Sequence, residues 1–572
     1  MLEESQTIAN ANAAADNGGD GSAEHWLSRA LLLVPDAIEK ARHTKGFAGR
    51  WRSIAAKLER VAPCLADLAS HPCFARHAIY RELLQSLVAT LSEAVHFADR
   101  CFDGGDRDGP SVGKLRMQSD LDSLSAKLDL NLRNCELLVK TGVLGAAALP
   151  QIAAASRPGE AELVCWNLGE LLPRLQFGND EAKHRALDGL LEAMREDEKS
   201  VMAVLDRSNV YALIQLLTAT SPMVREKAAT AICLLTETGS YEGLLVSEGV
   251  LPPLIRLLES GSLVAREKAV ISLQKLSIST EIARSIAGHC GIPPLIEVCQ
   301  VGDSISQSAA ASTLKNLSIV SELRQNLVDE GIVRVMINVL DYGIVLGSKE
   351  YAAECLQHLT SSNDSLRRLV VSEGGIRSLL AYLDRPLPQE PAIGAVKNLI
   401  GSMSMDSLIS LGLLPRLVHV LKDGSLGAQQ AAAAVICKIS SSKETKRTVG
   451  LFGCIPLLVK MLEAKSNSAR EVAAQAIASL IACPQNGSEV KKDEKSMPNL
   501  VQLLNPSPQN TAKKYAVSCL LILSSSKRCK KMMISYGAIG YLKKLSDMDF
   551  PGANKLLERL ERGRLKSLFG RK

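Results

Sequence analysis

Hydrophobic and polar positions along the chain alternate at helical spacing almost throughout, and turn residues punctuate them at regular distances. The stretch "GVLPPLIRLLESGSLVAREKAVISLQKLS", Gly249 to Ser277, shows the unit. Gly249 suits the left-handed position just past a helix, and Pro252 or Pro253 suits the first turn of the next. Leu254, Leu257 and Leu258 form one apolar stripe, Ser260-Gly261 breaks the chain, and Val264, Ala269, Leu273 and Leu276 form a second. A hairpin of this kind cannot bury both stripes alone, so it needs neighbours of the same type.

Those neighbours recur in the chain. An alanine returns at Ala186, Ala228, Ala269, Ala310, Ala352, Ala392, Ala432, Ala473 and Ala516, at spacings of 40 to 43 residues. Seven positions later an aliphatic residue recurs at Leu235, Leu276, Leu317, Leu359, Leu399, Ile439, Leu480 and Leu523. A glycine before the middle helix returns at Gly249, Gly291, Gly331, Gly375, Gly412, Gly453 and Gly537. Short segments such as "SELRQNLVDEG" add a third helix to each unit. Three helices per period predict an all-α chain of stacked repeats with one continuous core and a long exposed face.

Period, glycine, proline and Ala/Leu positions together resemble the armadillo-repeat family, over about nine copies in residues 181–549. The resemblance implies an armadillo-type α-solenoid, a superhelix of three-helix repeats. Residues 141–180 then form a linker or a degenerate capping repeat around Trp166, and residues 550–572 a C-terminal capping helix and basic tail.

Ahead of the repeats the texture changes. Trp51, Ile54, Leu58, Val61, Leu65 and Leu68 step by threes and fours, as do Leu84, Leu87, Leu91, Ala94 and Ala98, and then Leu121, Leu124, Leu128 and Leu132. A shorter series, Leu27, Leu31, Val34 and Ile38, adds a further helix. Residues 25–140 therefore read as a helical bundle. "WRSIAAKLERVAPCLADL" and "GKLRMQSDLDSLSAKLDLNLRNCELL" resemble the N-terminal domain of plant U-box armadillo ubiquitin ligases. No "CPI...DPV...G...Y" U-box segment occurs in this chain, so the resemblance does not carry ligase activity with it. What it implies is recruitment of partners by the two helical regions.

Composition narrows the picture. Hydrophobic residues make up 46% of the 572 residues and aromatics only 3%, which suits aliphatic helix packing and argues against base-stacking platforms. The net charge of +6 is modest for this length and does not call for nucleic acid. The 14 cysteines show neither a C-x-x-C pair nor zinc spacing, and reading them as buried thiols implies an intracellular protein. Residues 1–24 lack an apolar core, so they read as a disordered tail rather than a signal peptide. A cytoplasmic location is expected, with nuclear sharing or peripheral membrane contact as alternatives.

Candidate chemistry is sparse. The loop "DGGDRDGPSVGKL" (Asp103–Leu115) contains Gly113-Lys114, but Asp108 and Leu115 occupy positions where a phosphate loop needs glycine and a hydroxyl. Asp103, Asp106 and Asp108 lack calcium-loop spacing. His358 and His419 have no catalytic partner at motif spacing. No catalytic residue, cofactor or metal is therefore expected.

The strongest positions lie one residue before each aliphatic anchor: Leu234, Lys275, Asn316, His358, Asn398, Lys438, Ser479 and Ile522. In peptide-binding relatives this position faces the groove and an asparagine there grips the ligand backbone. Lys275, Asn316, His358, Asn398 and Lys438 are thus the expected partner-binding groove of a non-enzymatic scaffold. Its partners would be extended or helical protein segments, with a second partner on the bundle. An adaptor acting with a separate ubiquitin ligase is the alternative. A nuclear-import receptor of the importin-α type would pair each asparagine with a tryptophan four residues earlier, where this chain has Ser312 and Gly394. The tail "NKLLERLERGRLKSLFGRK" is basic and amphipathic, and Gly563 favours a packed cap over one continuous membrane-touching helix.

Overall fold

In a computed structural model, the structure describes residues 22–44, 46–70, 74, 78–102, 112–141, 168, 171–176, 179–385 and 390–569. The expected N-terminal tail up to residue 21, most of the Asp103–Leu115 loop and the segment around Trp166 lie outside them, as do the side chains of the basic tail from residue 563. All regular structure among the described residues is helical, and the chain divides into two compact units, residues 1–253 and 254–572.

The first unit opens with five helices: α1 (Ala23–His43), α2 (Ala48–Glu59), α3 (Val61–Ala69), α4 (Ala78–Phe102) and α5 (Val112–Thr141). α1 packs along α4, and α5 packs against α2, α3 and α4. Trp51, Ile54, Leu58, Leu84, Leu91, Leu121, Leu124 and Leu128 are fully buried at the centre. Each such side chain removed from water stabilises the bundle by roughly 1.5–3 kcal/mol before ordering costs. The apolar series from Trp51 to Leu68 is two helices, not one. Pro63 has no N–H to offer the Glu59 carbonyl, so the ladder breaks around Arg60. α1 is also rotated from the expected stripe: it buries Ala30, Val34, Ala37 and Ala41, while Leu31 is exposed. Alanines let α1 approach α4 closely, which a leucine ridge would prevent.

Polar contacts set the register of the bundle. Lys40 pairs with Asp99 at 2.9 Å and Arg50 with Asp122 at 2.7 Å. Inside, Asn131 donates to Thr90 Oγ1 at 2.9 Å and accepts from Ser86 Oγ at 3.2 Å, tying α5 to α4. After the bundle, Asp180–Glu196 and Pro222–Glu237 pack on one another within the same unit.

In the second unit the alanine-bearing helices are Leu263–Leu276, Ser304–Ile319, Leu346–Thr360, Glu390–Leu399, Leu426–Ile439, Asn467–Leu480 and Lys513–Leu523. Each packs on the next. Their periodic alanines and anchors, Ala310 and Leu317 for example, have no exposed surface. Small residues at the crossing set the helix separation, and the anchors fill the space between layers. Ser262, Asp303, Ser425 and Ser466 cap the starts of four of these helices by accepting backbone N–H groups, each worth about 1 kcal/mol. Val264, expected in the buried stripe, is exposed, and Ala265 is buried in its place.

The recurrent glycine does two different jobs. Gly331, Gly453 and Gly537 adopt φ of 82° to 83°, with nothing near where a Cβ would stand. In two repeats the left-handed residue lies one position earlier, at Cys290 (φ 58°) and Gly374 (φ 83°). Gly291 and Gly375 are then wanted for space: a Cβ on Gly291 would stand 2.7 Å from Ile286 Cγ2 and 2.8 Å from Ile286 O.

At the C-terminus the helix Ala553–Phe569 runs on past Gly563, contrary to the expected break. Its first half is a packed cap, with Leu556 and Leu560 fully buried and Arg559 Nη1 donating to Leu521 O at 3.1 Å. Among the described residues no helix is long and apolar enough to cross a membrane.

Candidate functional site

The residue before each anchor sits about 100° around its helix from a fully buried side chain, at the edge of the packed face. That geometry brings the five expected positions into one row along successive helices, and it also settles what most of them touch. Asn316, only 7% exposed, donates from Nδ2 to Ser277 Oγ at 2.9 Å. His358 Nδ1 lies 2.9 Å from Ser318 Oγ. Asn398 Nδ2 donates to Gln357 O at 3.2 Å and to Thr360 Oγ1 at 3.3 Å. Lys438 Nζ donates to Lys397 O at 3.0 Å. Each reaches back to the end of the preceding alanine-bearing helix, Asn316 and His358 to a hydroxyl, Lys438 to a carbonyl and Asn398 to both. Lys275 is half-buried. The row is therefore a ladder between repeats, and four of the five side chains spend a polar group on it.

Burial first, and the Arg324 cation after it, hold the His358 imidazole below its ordinary range, so the ring is neutral at neutral pH. Arg324 itself donates to Ser318 O at 2.7 Å and to Ser362 Oγ at 2.7 Å, stitching the same two repeats. Lys349, 4% exposed, caps the helix Ile332–Tyr342 by donating to Leu340 O at 2.7 Å and Asp341 O at 2.8 Å.

A second row lies about two turns towards the start of each helix, nine residues before the anchor. Glu267, Glu350, Glu390 and Glu471 occupy it, with Gln430 and Ser308 in the copies between. Glu350 and Glu390 are exposed and, with Glu354, Gln357, His358, Pro391 and Ser425, line an open cavity of about 310 Å³. Lys315 pairs with Glu354 at 3.5 Å and lies 5.5 Å from the centre of the Tyr351 ring. The acidic row escaped the sequence reading, although the same register identifies it.

Little here suits bond-making chemistry. Burial pushes the thiols of Cys299 and Cys355 up to about 12, so both stay protonated and unreactive at neutral pH. His419 is held between Asp423, at 3.1 Å, and the Arg385 carbonyl, at 3.2 Å, away from any nucleophile the described residues place beside it. Among the described residues no group of three or more His, Cys, Asp or Glu is arranged to hold a metal ion. The face presents hydrogen-bonding groups and charges.

Residues 28–143 match a protein family described as a domain of unknown function, DUF7032, which coincides with the bundle. The chain is 30% identical over 153 residues to U-box domain-containing protein 8 of Arabidopsis thaliana, a stretch covering 26% of this chain and 40% of that protein. It thus spans less than half the length of this curated relative, a plant U-box protein. Among solved structures, the crystal structure of an engineered protein is similar with a TM-score of 0.58 at 24% identity, covering 69% of this chain and 98% of that one. That likeness concerns the fold alone.

Proposed function

We propose that this chain is a non-enzymatic interaction scaffold of plant type. In this reading an armadillo-type solenoid holds an extended or helical partner segment along the face of its alanine-bearing helices, and the N-terminal bundle docks a second partner. The observation that carries it is the succession of alanine-bearing helices in residues 254–572, which aligns one polar and one acidic row on a shared face. Asn316, His358 and Asn398 keep the repeats in register, whereas Lys275 and Lys438 retain N–H groups for a ligand. The carboxylates of Glu350, Glu354 and Glu390 supply a second set of contacts beside them. The test begins with partners recovered by proximity labelling in plant cells and purified individually. The double substitution Lys275→Glu and Lys438→Glu should weaken binding about tenfold or more with helicity unchanged. Unaltered affinity would remove these residues from the interface.

The match to a plant U-box protein favours a second reading, an adaptor that works with a separate ubiquitin ligase. It predicts co-purification with that ligase and no ubiquitin chains when the purified chain is given only E1 and E2. Chains formed from those components alone would overturn the non-enzymatic reading.

A further inference from the structure

Three turn segments of the second unit, "ESGSLV" (residues 259–264), "QVGDSI" (300–305) and "DYGIVL" (341–346), lead into the successive helices Leu263–Leu276, Ser304–Ile319 and Leu346–Thr360. Their glycines, Gly261, Gly302 and Gly343, stand 41 residues apart. Each donates its N–H at 2.9 Å to a carbonyl four residues earlier, that of Leu257, Val298 or Val339. A Cβ on any of the three would stand 2.5 Å from that oxygen, so the turns share one construction. The helices they open pack in order, and equivalent turns therefore line one edge of the stack.

That edge is apolar where turns are ordinarily polar. Leu263 is 80% exposed, Val301 72%, Tyr342 81% and Ile344 87%, with Val264 at 47% and Ile305 at 55%. At about 100 Å² apiece, these six side chains leave on the order of 600 Å² in water, the top of the range for the largest apolar patch on a typical monomer. Each segment also holds one exposed carboxylate, Glu259, Asp303 or Asp341, and none of the three contains Lys or Arg. Lys349, close behind Asp341, is 4% exposed and turns its ammonium inward to the Leu340 and Asp341 carbonyls. The edge is thus an apolar strip with a carboxylate at every turn.

We propose that this edge docks an amphipathic helix of a partner protein, with its aliphatic face on Leu263, Val301, Tyr342 and Ile344 and with Lys or Arg on its flanks. Packed helices lie about 8–10 Å apart, so the three turns span roughly 20 Å, the length of about 14 helical residues. Side chains seven residues apart on such a helix share a face and stand about 10 Å apart, which matches one repeat. The basic flanks meet Glu259, Asp303 and Asp341. Those carboxylates also tell against two other occupants: a second copy would set like charges against one another, and an anionic membrane would be repelled. The inference goes beyond the groove on the alanine-bearing helices and does not depend on it.

The test displays 18-residue peptides on phage, with Leu or Ile fixed at helical spacing and the other positions randomised, and selects them on the full chain. Enriched peptides are synthesised and measured by fluorescence anisotropy against the wild type, Leu263→Ser/Ile344→Ser and Lys275→Glu/Lys438→Glu. The expected peptides carry a basic excess, bind Leu263→Ser/Ile344→Ser about tenfold more weakly or worse, and bind the lysine variant as they bind the wild type. Leu263→Ser/Ile344→Ser should melt with the wild type, because both replaced side chains are at least 80% exposed. Failure to enrich any peptide, enrichment of neutral or acidic ones, or equal binding by Leu263→Ser/Ile344→Ser overturns the proposal. Binding lost only in Lys275→Glu/Lys438→Glu would also overturn it, while leaving the groove reading intact. A dimer in sedimentation, or attachment to phosphatidylserine vesicles, that Leu263→Ser/Ile344→Ser abolishes would assign the edge to a second copy or to lipid and overturn it too.

Discussion

Asn316→Ala separates a structural ladder from a ligand contact. Asn316 is 7% exposed and donates to Ser277 Oγ at 2.9 Å, while that hydroxyl, on a residue 1% exposed, donates to Gln274 O at 2.8 Å. Truncation leaves Ser277 as a donor but removes the group it accepts from. A neutral hydrogen bond of this kind contributes about 0.5–1.5 kcal/mol. Lost packing around the deleted amide adds on the order of 1 kcal/mol, for a total of about 2 kcal/mol. Because stacked repeats need not unfold in one step, the assay is native-state hydrogen exchange rather than a single melting temperature. Amides of Leu263–Leu276 and Ser304–Ile319 should lose that protection, with distant repeats unchanged. A double-mutant cycle with Ser277→Ala should show coupling of about 1 kcal/mol. Additivity within about 0.5 kcal/mol would refute the ladder. So would unchanged exchange in a variant that has lost partner affinity, since the amide would then serve the ligand.

The two kinds of repeat glycine should fail differently. Gly331→Ala forces an alanine to φ 83° and should cost about 1–2 kcal/mol, most of it recovered by Gly331→Asn. Gly291→Ala meets Ile286 at 2.7 Å and should cost about 1–3 kcal/mol by overpacking, with Gly291→Asn worse. Equal rescue by asparagine at both sites, read by thermal unfolding, would contradict the assignment. Burial depresses the His358 pKa in the folded chain, so the unfolded chain binds the extra proton first on acidification. The stability tied to neutral His358 should be fully present above about pH 6.5 and fall as pH drops towards the folded value. His358→Gln should lose that slope in denaturant titrations, and an unchanged slope would assign it elsewhere.

Much of this architecture is visible in residue spacing because packing repeats with the same period. Ala269, Ala310 and Ala352 announce close helix crossings, and Leu276, Leu317 and Leu359 announce the layer between them; all are fully buried. Local exceptions are less legible. Cys290 takes a left-handed conformation that residue type does not advertise, and Pro63 splits a stripe whose spacing continues unbroken across it. The row at Asn316, His358, Asn398 and Lys438 is legible in position but not in partner. Each bond joins residues about 40 apart, and only the stacking of two repeats determines whether a side chain faces solvent or its neighbour.

The central claim is that the alanine-bearing helices of residues 254–572 form the partner-binding face. Hydrogen–deuterium exchange on the full chain, with and without a purified partner recovered by proximity labelling, tests it most directly. The account predicts new protection concentrated on the exposed ends and edges of Leu263–Leu276 through Asn467–Leu480, including the helices that carry Glu350 and Glu390. Protection confined to the other helices of those repeats, with these unchanged on saturation, would contradict it.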